Sequence, residues 1–335
     1  MKVTVDASCD IHYTSTYLQG LRALFGEGCI RFASAGFHGF RHNNDCVAMV
    51  LSDGSGLRRR VVIDFGDSKT IKEKYLDWSD VYAKVNLTPE DAKRSEKTFA
   101  IGPVGPGIRC FGAVETFRHA LWNGLAAYRR IPDIRRFLSD YKTQLRRLPQ
   151  SDYDRPGRSD PDYIHFVSSI WKNDRVTNDY RANFMRAAQR TEGLVFEGGF
   201  APRPDGAVSG YEDLTGRPFE PLPVYREKMM RSLAVFNTPA VKQCHGWKLP
   251  EFLAWGKAVI TTPPVRMLPV HQGRGEHALL TDGSEADIHA KIGLLRADSG
   301  LRDRLERNAR AYYDAYLSPA RVMSRIAERA GMKER

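Results

Sequence analysis

Apolar residues recur along the chain with two spacings. Short alternating or continuous runs predict strands at Lys2–Val5, Ile30–Ala33, Val47–Leu51, Arg60–Phe65, Ser79–Asn86 and Thr98–Ile101. The turn residues Ser52–Gly56 join the third and fourth of these into a hairpin. Helical spacing predicts helices over Thr16–Leu24, Val114–Tyr128 and Asp133–Arg147. Pro149–Pro161 is then polar, rich in Pro and Asp and without periodicity, so it reads as a linker. Beyond it the alternation restarts. Strands are predicted at Tyr163–Val167, at Leu194–Phe196 (ending at Gly198-Gly199), at Leu233–Phe236 and at Ala258–Thr261. Helices are predicted at Asn178–Arg190, Val224–Met230, Glu285–Leu294, Leu301–Leu317 and from about Ala320 to Ala330. Strands alternating with helices predict a parallel sheet in each half. The expected division is an α/β domain over 1–150, a linker over 151–161 and a second α/β domain over 162–320. A helix in 321–335 can pack back on the first domain.

Residues 231–263 carry the clearest chemistry. They read as strand, polar loop, helix and strand, with Pro239 and Gly246 punctuating the loop, Pro250 in the first helical turn and Gly256 as the stop. His245, Lys248 and Glu251 cluster where the loop enters the helix. An open α/β sheet has its ligand crevice at such a place, and free backbone amides there favour anionic groups.

This stretch resembles the donor-binding core of GT-B glycosyltransferases, most closely the retaining family 4 (glycosyl transferases group 1). There a loop Glu is followed by Gly three residues on and by a second Glu eight positions after the first. Here Gly246 and Glu251 match, Gln243 stands in place of the first Glu, and Phe252–Thr262 resembles the family's continuation. After strand 163–167 the family has a phosphate-clamping Arg and Lys. Lys172 matches the Lys, Ser169 occupies the Arg position, and Arg175 is near enough to compensate.

The resemblance implies a GT-B fold: two Rossmann-like domains with parallel sheets facing a central cleft. It implies an enzyme that transfers a sugar from a nucleotide-diphosphate donor to an acceptor hydroxyl with retention of configuration. No cofactor or metal is implied beyond the nucleotide sugar itself. Gln243, Glu251 and Lys172 would be the catalytic set. Glu251 would accept hydrogen bonds from the ribose hydroxyls, or else be an ordinary first-turn Glu. Gln243 would meet the donor sugar, or be a polar loop residue. His245 and Gly246 would offer amides to the pyrophosphate, and Lys248 would pair with phosphate or be a solvated helix lysine. Trp247 would belong to the core or line the sugar pocket, and Asn237 and Thr238 would lie near base and ribose. In the first half the family's glycine-rich loop is replaced by Ala7-Ser8-Cys9-Asp10. Asp10 and Tyr13 are its acceptor candidates, and Lys84, Asn86 and the Gly102–Gly107 loop would meet acceptor or phosphate, or else be structural.

Charge narrows the partners. The net charge of +11, with clusters at Arg58–Arg60, Arg129–Arg136 and Arg146–Arg147, fits an anionic partner or a solvated basic surface. A lipid-linked or polysaccharide acceptor at a membrane's inner face is preferred to a modified nucleic-acid base. A GT-B protein that binds nucleotide or carbohydrate without turnover is the non-enzymatic alternative. No run approaches the ~18 apolar residues of a membrane span. The strand-like start lacks a signal-peptide block, so a cytoplasmic location is expected. Asp152-Tyr153-Asp154 and Asp160-Pro161-Asp162 have the Asp-x-Asp spacing of metal-dependent transferases. They lie in the linker and before a strand instead of after one, so no metal is assigned to them. The five scattered cysteines form neither a disulfide framework nor a zinc pattern.

Overall fold

The computed structural model describes residues 1–103, 105, 107–270 and 276–332. They form two compact units. One contains Met1–Asp152, Arg266–Pro269 and the segment from Ala315 onward; the other contains Tyr153–Val265 and Val270–Asp314. The strands are β1 (Lys2–Asp6), β2 (Ile30–Ala33), β3 (Cys46–Ser52), β4 (Arg58–Asp64), β5 (Val81–Lys84), β6 (Thr98–Ala100), β7 (Tyr163–Ser169), β8 (Val195–Ala201), β9 (Val235–Asn237), β10 (Val259–Thr261) and β11 (Ala278–Leu280). The helices are α1 (Ile11–Phe25), α2 (Glu73–Trp78), α3 (Pro89–Ala92), α4 (Ala113–Ala127), α5 (Ile134–Leu145), α6 (Arg175–Arg190), α7 (Leu222–Arg231), α8 (Lys248–Ala254), α9 (Glu285–Ala297), α10 (Ser299–Tyr312) and α11 (Pro319–Arg329).

The first unit has one sheet, ordered β2-β1-β3-β4-β5-β6. The expectation of a parallel sheet in this half needs correcting, because β3 runs antiparallel to both β1 and β4. The cause is the short turn between β3 and β4, which is too tight for a parallel crossover. Asp53 closes that turn by accepting the backbone N–H groups of Ser55 and Leu57 at 2.9 and 3.0 Å. The remaining pairs, β1–β2, β4–β5 and β5–β6, are parallel.

Helix α1 starts earlier than its apolar spacing predicts, at Ile11, with Asp10 as N-cap. α11 packs against it and contributes Val322, Met323, Ile326 and Ala327 to the core beside Leu18 and Leu21. The approach is close at Gly20, where a Cβ would stand 2.1 Å from the Pro319 carbonyl oxygen. Within the predicted loop 102–107, Val104 and Pro106 lie outside the described residues, as do 333–335 of the C-terminal segment.

In the second unit β7 pairs with β8, and β11-β10-β9 form a parallel set. Leu233, just before β9, donates its N–H to the Tyr163 carbonyl at 2.7 Å and links the two groups of strands. The predicted end of β8 at Gly198-Gly199 is also corrected: the strand continues to Ala201. These glycines allow close approach and do not break the strand. A Cβ on Gly198 would lie 2.1 Å from the Phe166 carbonyl oxygen, and Gly199 has φ +147°. Phe166, Phe184 and Phe236 centre the core, with the last two stacked at 4.9 Å. Trp255 is fully buried and stacks on Tyr153 at 5.4 Å. Gly256, at φ +60°, ends α8 as predicted. No helix among the described residues is long and apolar enough to cross a membrane.

Candidate anion-binding site

The carboxyl end of β7 delivers Ser168 and Ser169, and the end of β9 delivers Asn237 and Thr238. With the loop residues Ala240 and Gly246, with Trp247 and with Phe219, they enclose a cavity of about 170 Å³. Two cationic side chains line it, Arg181 from α6 and Lys248 at the start of α8. Each is pinned to the backbone of β7: Arg181 donates to the Ser169 carbonyl at 2.8 Å, and Lys248 donates to the Val167 carbonyl at 2.5 Å. The Lys248 ammonium also lies over the rings of Tyr225 (5.2 Å) and Phe166 (5.8 Å). Neither cation forms a salt bridge among the described residues.

Burial sets the electrostatics of the pair. Desolvation pulls the Lys248 ammonium down to about 8; the nearby Glu251 carboxylate opposes the shift, and Arg181 adds to it. The Arg181 guanidinium is lowered to about 10, again chiefly by burial, and stays charged at neutral pH. Two desolvated cations face one cavity; neither is in a salt bridge among the described residues, while Glu251 and Asp174 lie near enough to favour their charged forms, so the site is one that an anion would complete.

The other sequence candidates sit around this cavity in different ways. Asn237 donates to the Thr261 hydroxyl at 3.0 Å, which orients its amide at the rim, and Thr238 accepts from Thr262 at 3.0 Å. A Cβ on Gly246 would come within 3.2 Å of the Asn237 amide oxygen, a tight contact that the Asn237 side chain would have to shift to relieve. His245 is buried, and Trp247 is 37% exposed at the cavity wall. Glu251 does not line the cavity. It accepts the Tyr225 hydroxyl at 3.2 Å and lies near Lys248, whose charge it favours.

Gln243 lines a second cavity of about 450 Å³, with Asn173, Thr177, Tyr180 and Thr262. The two cavities share Thr238 and Ala240, and so adjoin at that segment. Gln243 and Lys242 both have left-handed φ values, 59° and 58°, which few non-glycine residues adopt. Lys172 is engaged away from both cavities: it donates to the Asp205 carbonyl at 2.6 Å and pairs with its carboxylate at 3.2 Å. Arg203 grips the same carboxylate at 2.7 Å, and these cations hold Asp205 well below the usual carboxylate range. Arg175 is an exposed first-turn residue of α6, 3.8 Å from Asp179.

In the first unit Lys84 is wholly buried and salt-bridged to Asp64 at 3.0 Å, and Asn86 donates to the Gly66 carbonyl. Tyr13 stacks on Phe65 at 5.2 Å. Asp10 is buried, and burial, reinforced by the charge of Asp140, pushes its carboxyl up to about 6. His42 bonds Asp140 through Nε2 at 3.0 Å. Asp10, His42 and Asp140 each offer one ligand atom within 4.8 Å of the others, a grouping able to hold a metal ion. Arg181, His42 and Asp140 carry no motif in the sequence. Only the fold brings them to these places.

No protein-family model matches the sequence, and no curated protein matches it. Among solved structures the chain is similar to Anabaena Alr3699/HepE in complex with UDP and glucose. The identity is 14% over 80% of this chain and 70% of that one, with a TM-score of 0.43. It is similar to TarM at 12% identity and TM-score 0.46, covering 79% of this chain but only 47% of TarM. The C-terminal domain of a glycosyl transferase group 1 family protein (LpcC) from Francisella tularensis matches over 49% of this chain and 89% of its own. There the identity is 15% and the TM-score 0.34.

Proposed function

We propose that the chain is a GT-B-type glycosyltransferase that binds the diphosphate of a nucleotide sugar at Arg181 and Lys248 and passes the sugar to an acceptor hydroxyl. One observation carries the reading: two desolvated cations, neither in a salt bridge among the described residues, converge on a cavity at the carboxyl edge of a parallel sheet. As the bond from the anomeric carbon to the diphosphate oxygen lengthens, negative charge grows on the leaving group and positive charge on the sugar. Fixed cations at the diphosphate stabilise the first of these without reorganising. Asn237 and Thr238 supply polar groups at the rim for ribose or base. Glu251 acts through Lys248, keeping its ammonium charged. Retention of configuration and a polysaccharide or glycolipid acceptor complete the reading as the sequence resemblance implies them.

The Lys248 shift gives this reading a pH signature. A lysine lowered to about 8 is charged below that pH and loses its charge as pH rises through it. Turnover of a panel of nucleotide sugars beginning with UDP-glucose, followed by nucleoside diphosphate release, should be near its plateau at pH 7. It should fall about tenfold by pH 9 as one phosphate contact is lost. Lys248→Arg, if it folds, should flatten that fall. Nucleotide binding without turnover of any donor would favour a binding protein over an enzyme.

A further inference from the structure

α4 is amphipathic in the inverse sense. Its inward face is small and polar: Thr116, Asn123, Gly124 and Ala127 are buried. Its outward face carries Val114, Phe117, Leu121, Trp122 and Leu125, continued by Tyr128. Val114 is 83% exposed, Phe117 73% and Trp122 62%. At 100° per residue, positions 114, 117, 121, 125 and 128 fall on one stripe. The inward face is locked by hydrogen bonds: Gln144 donates to the Thr116 hydroxyl at 2.9 Å and Asn123 to the Tyr141 hydroxyl at 2.8 Å. Gly124 leaves room for Phe137 and Ile134 of α5. Rotating α4 to bury its large side chains would break both bonds. The stripe therefore faces outward by construction. On α5, Ile134 and Leu138 extend it, 50% and 48% exposed.

Charge identifies what covers such a face. Across residues 113–147 the exposed basic residues are Arg118, Arg129, Arg135, Arg136, Lys142 and Arg146, while the exposed acidic one is Asp133; the part-exposed Glu115 is already paired with Arg22 at 2.9 Å. Arg118 rises within the stripe itself, and the Arg129 guanidinium lies 5.5 Å over the Tyr128 ring. A second copy of the chain would bring these cations against their own kind. An anionic bilayer offers apolar depth for Phe117, Leu121 and Leu125. It also offers an interfacial zone suited to Trp122 and Tyr128, and phosphates for the arginines.

We propose that the α4–α5 face seats the chain on an anionic membrane surface, with the α4 stripe inserted among the acyl chains and the Arg/Lys rim on the headgroups. This goes beyond the donor-site reading and stands without it, because the face belongs to the first unit and its test needs no nucleotide.

The test is co-sedimentation of the full chain with vesicles of phosphatidylcholine alone or with 30% phosphatidylglycerol. The apparent partition coefficient should be at least about tenfold higher on the anionic vesicles and should fall as salt rises. Phe117→Ser/Leu125→Ser should remove binding while circular dichroism and the melting midpoint stay unchanged, since both side chains are exposed. Arg135→Glu/Lys142→Glu should lose the preference for anionic lipid. Equal binding to both vesicles, or none to either, would overturn the proposal. So would a dimer in sedimentation velocity that Phe117→Ser/Leu125→Ser dissolves, which would assign the face to a second copy.

Discussion

Lys248→Met should cut nucleoside diphosphate affinity by about 100-fold while leaving the unliganded protein at least as stable at pH 7. The first effect follows from removing a desolvated, charge-assisted contact to phosphate, which costs roughly 2–5 kcal/mol when lost from an interface. The second follows from linkage. A lysine whose pKa falls from 10.5 unfolded to about 8 folded destabilises the native state at every pH below about 8, and the penalty fades as pH rises towards 10.5. The penalty is roughly 3 kcal/mol. Removing the ammonium therefore relieves it at pH 7 and has little effect near pH 10.5. Thermal melts at the two pH values, beside calorimetric titration with UDP, measure both effects. A lower melting midpoint at pH 7 together with unchanged affinity would show that Lys248 is a structural cation and not a ligand-binding one.

Asp64→Ala should be among the most destabilising single changes in the first unit, at roughly 3–5 kcal/mol. The Asp64 carboxylate accepts from Lys84 at 3.0 Å, from the Tyr82 hydroxyl at 2.5 Å and from the Gly66 backbone at 3.0 Å. Asp64 is wholly buried, and the Lys84 side chain is 1% exposed. Burial already lowers the Lys84 pKa, and Asp64 is the main influence opposing that. Without the carboxylate a desolvated ammonium is left inside the sheet. The double change Asp64→Leu/Lys84→Met should recover much of the loss, because apolar groups of similar size can replace a buried pair. A double-mutant cycle on urea melts reads the coupling directly. Additive losses would mean that the two groups do not depend on each other.

These two lysines show what the sequence could convey. Lys248 was legible because its neighbourhood is local: a strand, a loop with Gly246 and a helix start fall within about fifteen residues, and the crevice rule places that helix start. For Lys84 the two-residue period shows only that it shares a face with Asn86, which leaves a cleft role and a structural one both open. Its partner lies on the neighbouring strand, 20 residues away, and a period says nothing about partners. Arg181 looks like any basic residue of a polar helix until β7 presents the Ser169 carbonyl to it. The hairpin of β3 and β4 was legible from Ser52–Gly56. The insertion of β3 beside β1 was not, since that pairing joins distant segments. The α4 stripe was legible as helical spacing, and the usual rule sends such a stripe inward. Thr116 and Asn123 reverse it through bonds to α5 that no local pattern announces.

The central claim is that Arg181 and Lys248 form a nucleoside diphosphate site, and a ligand-dependent melt of the full chain tests it most directly. At pH 7, a nucleoside diphosphate or nucleotide sugar at about 100 times its dissociation constant should stabilise the protein by ~2.7 kcal/mol. The shift should vanish in Arg181→Met and Lys248→Met and persist in Lys172→Ala, whose ammonium is engaged by Asp205. No shift with any nucleotide in the wild-type chain, or an equal shift in all three variants, would contradict the account.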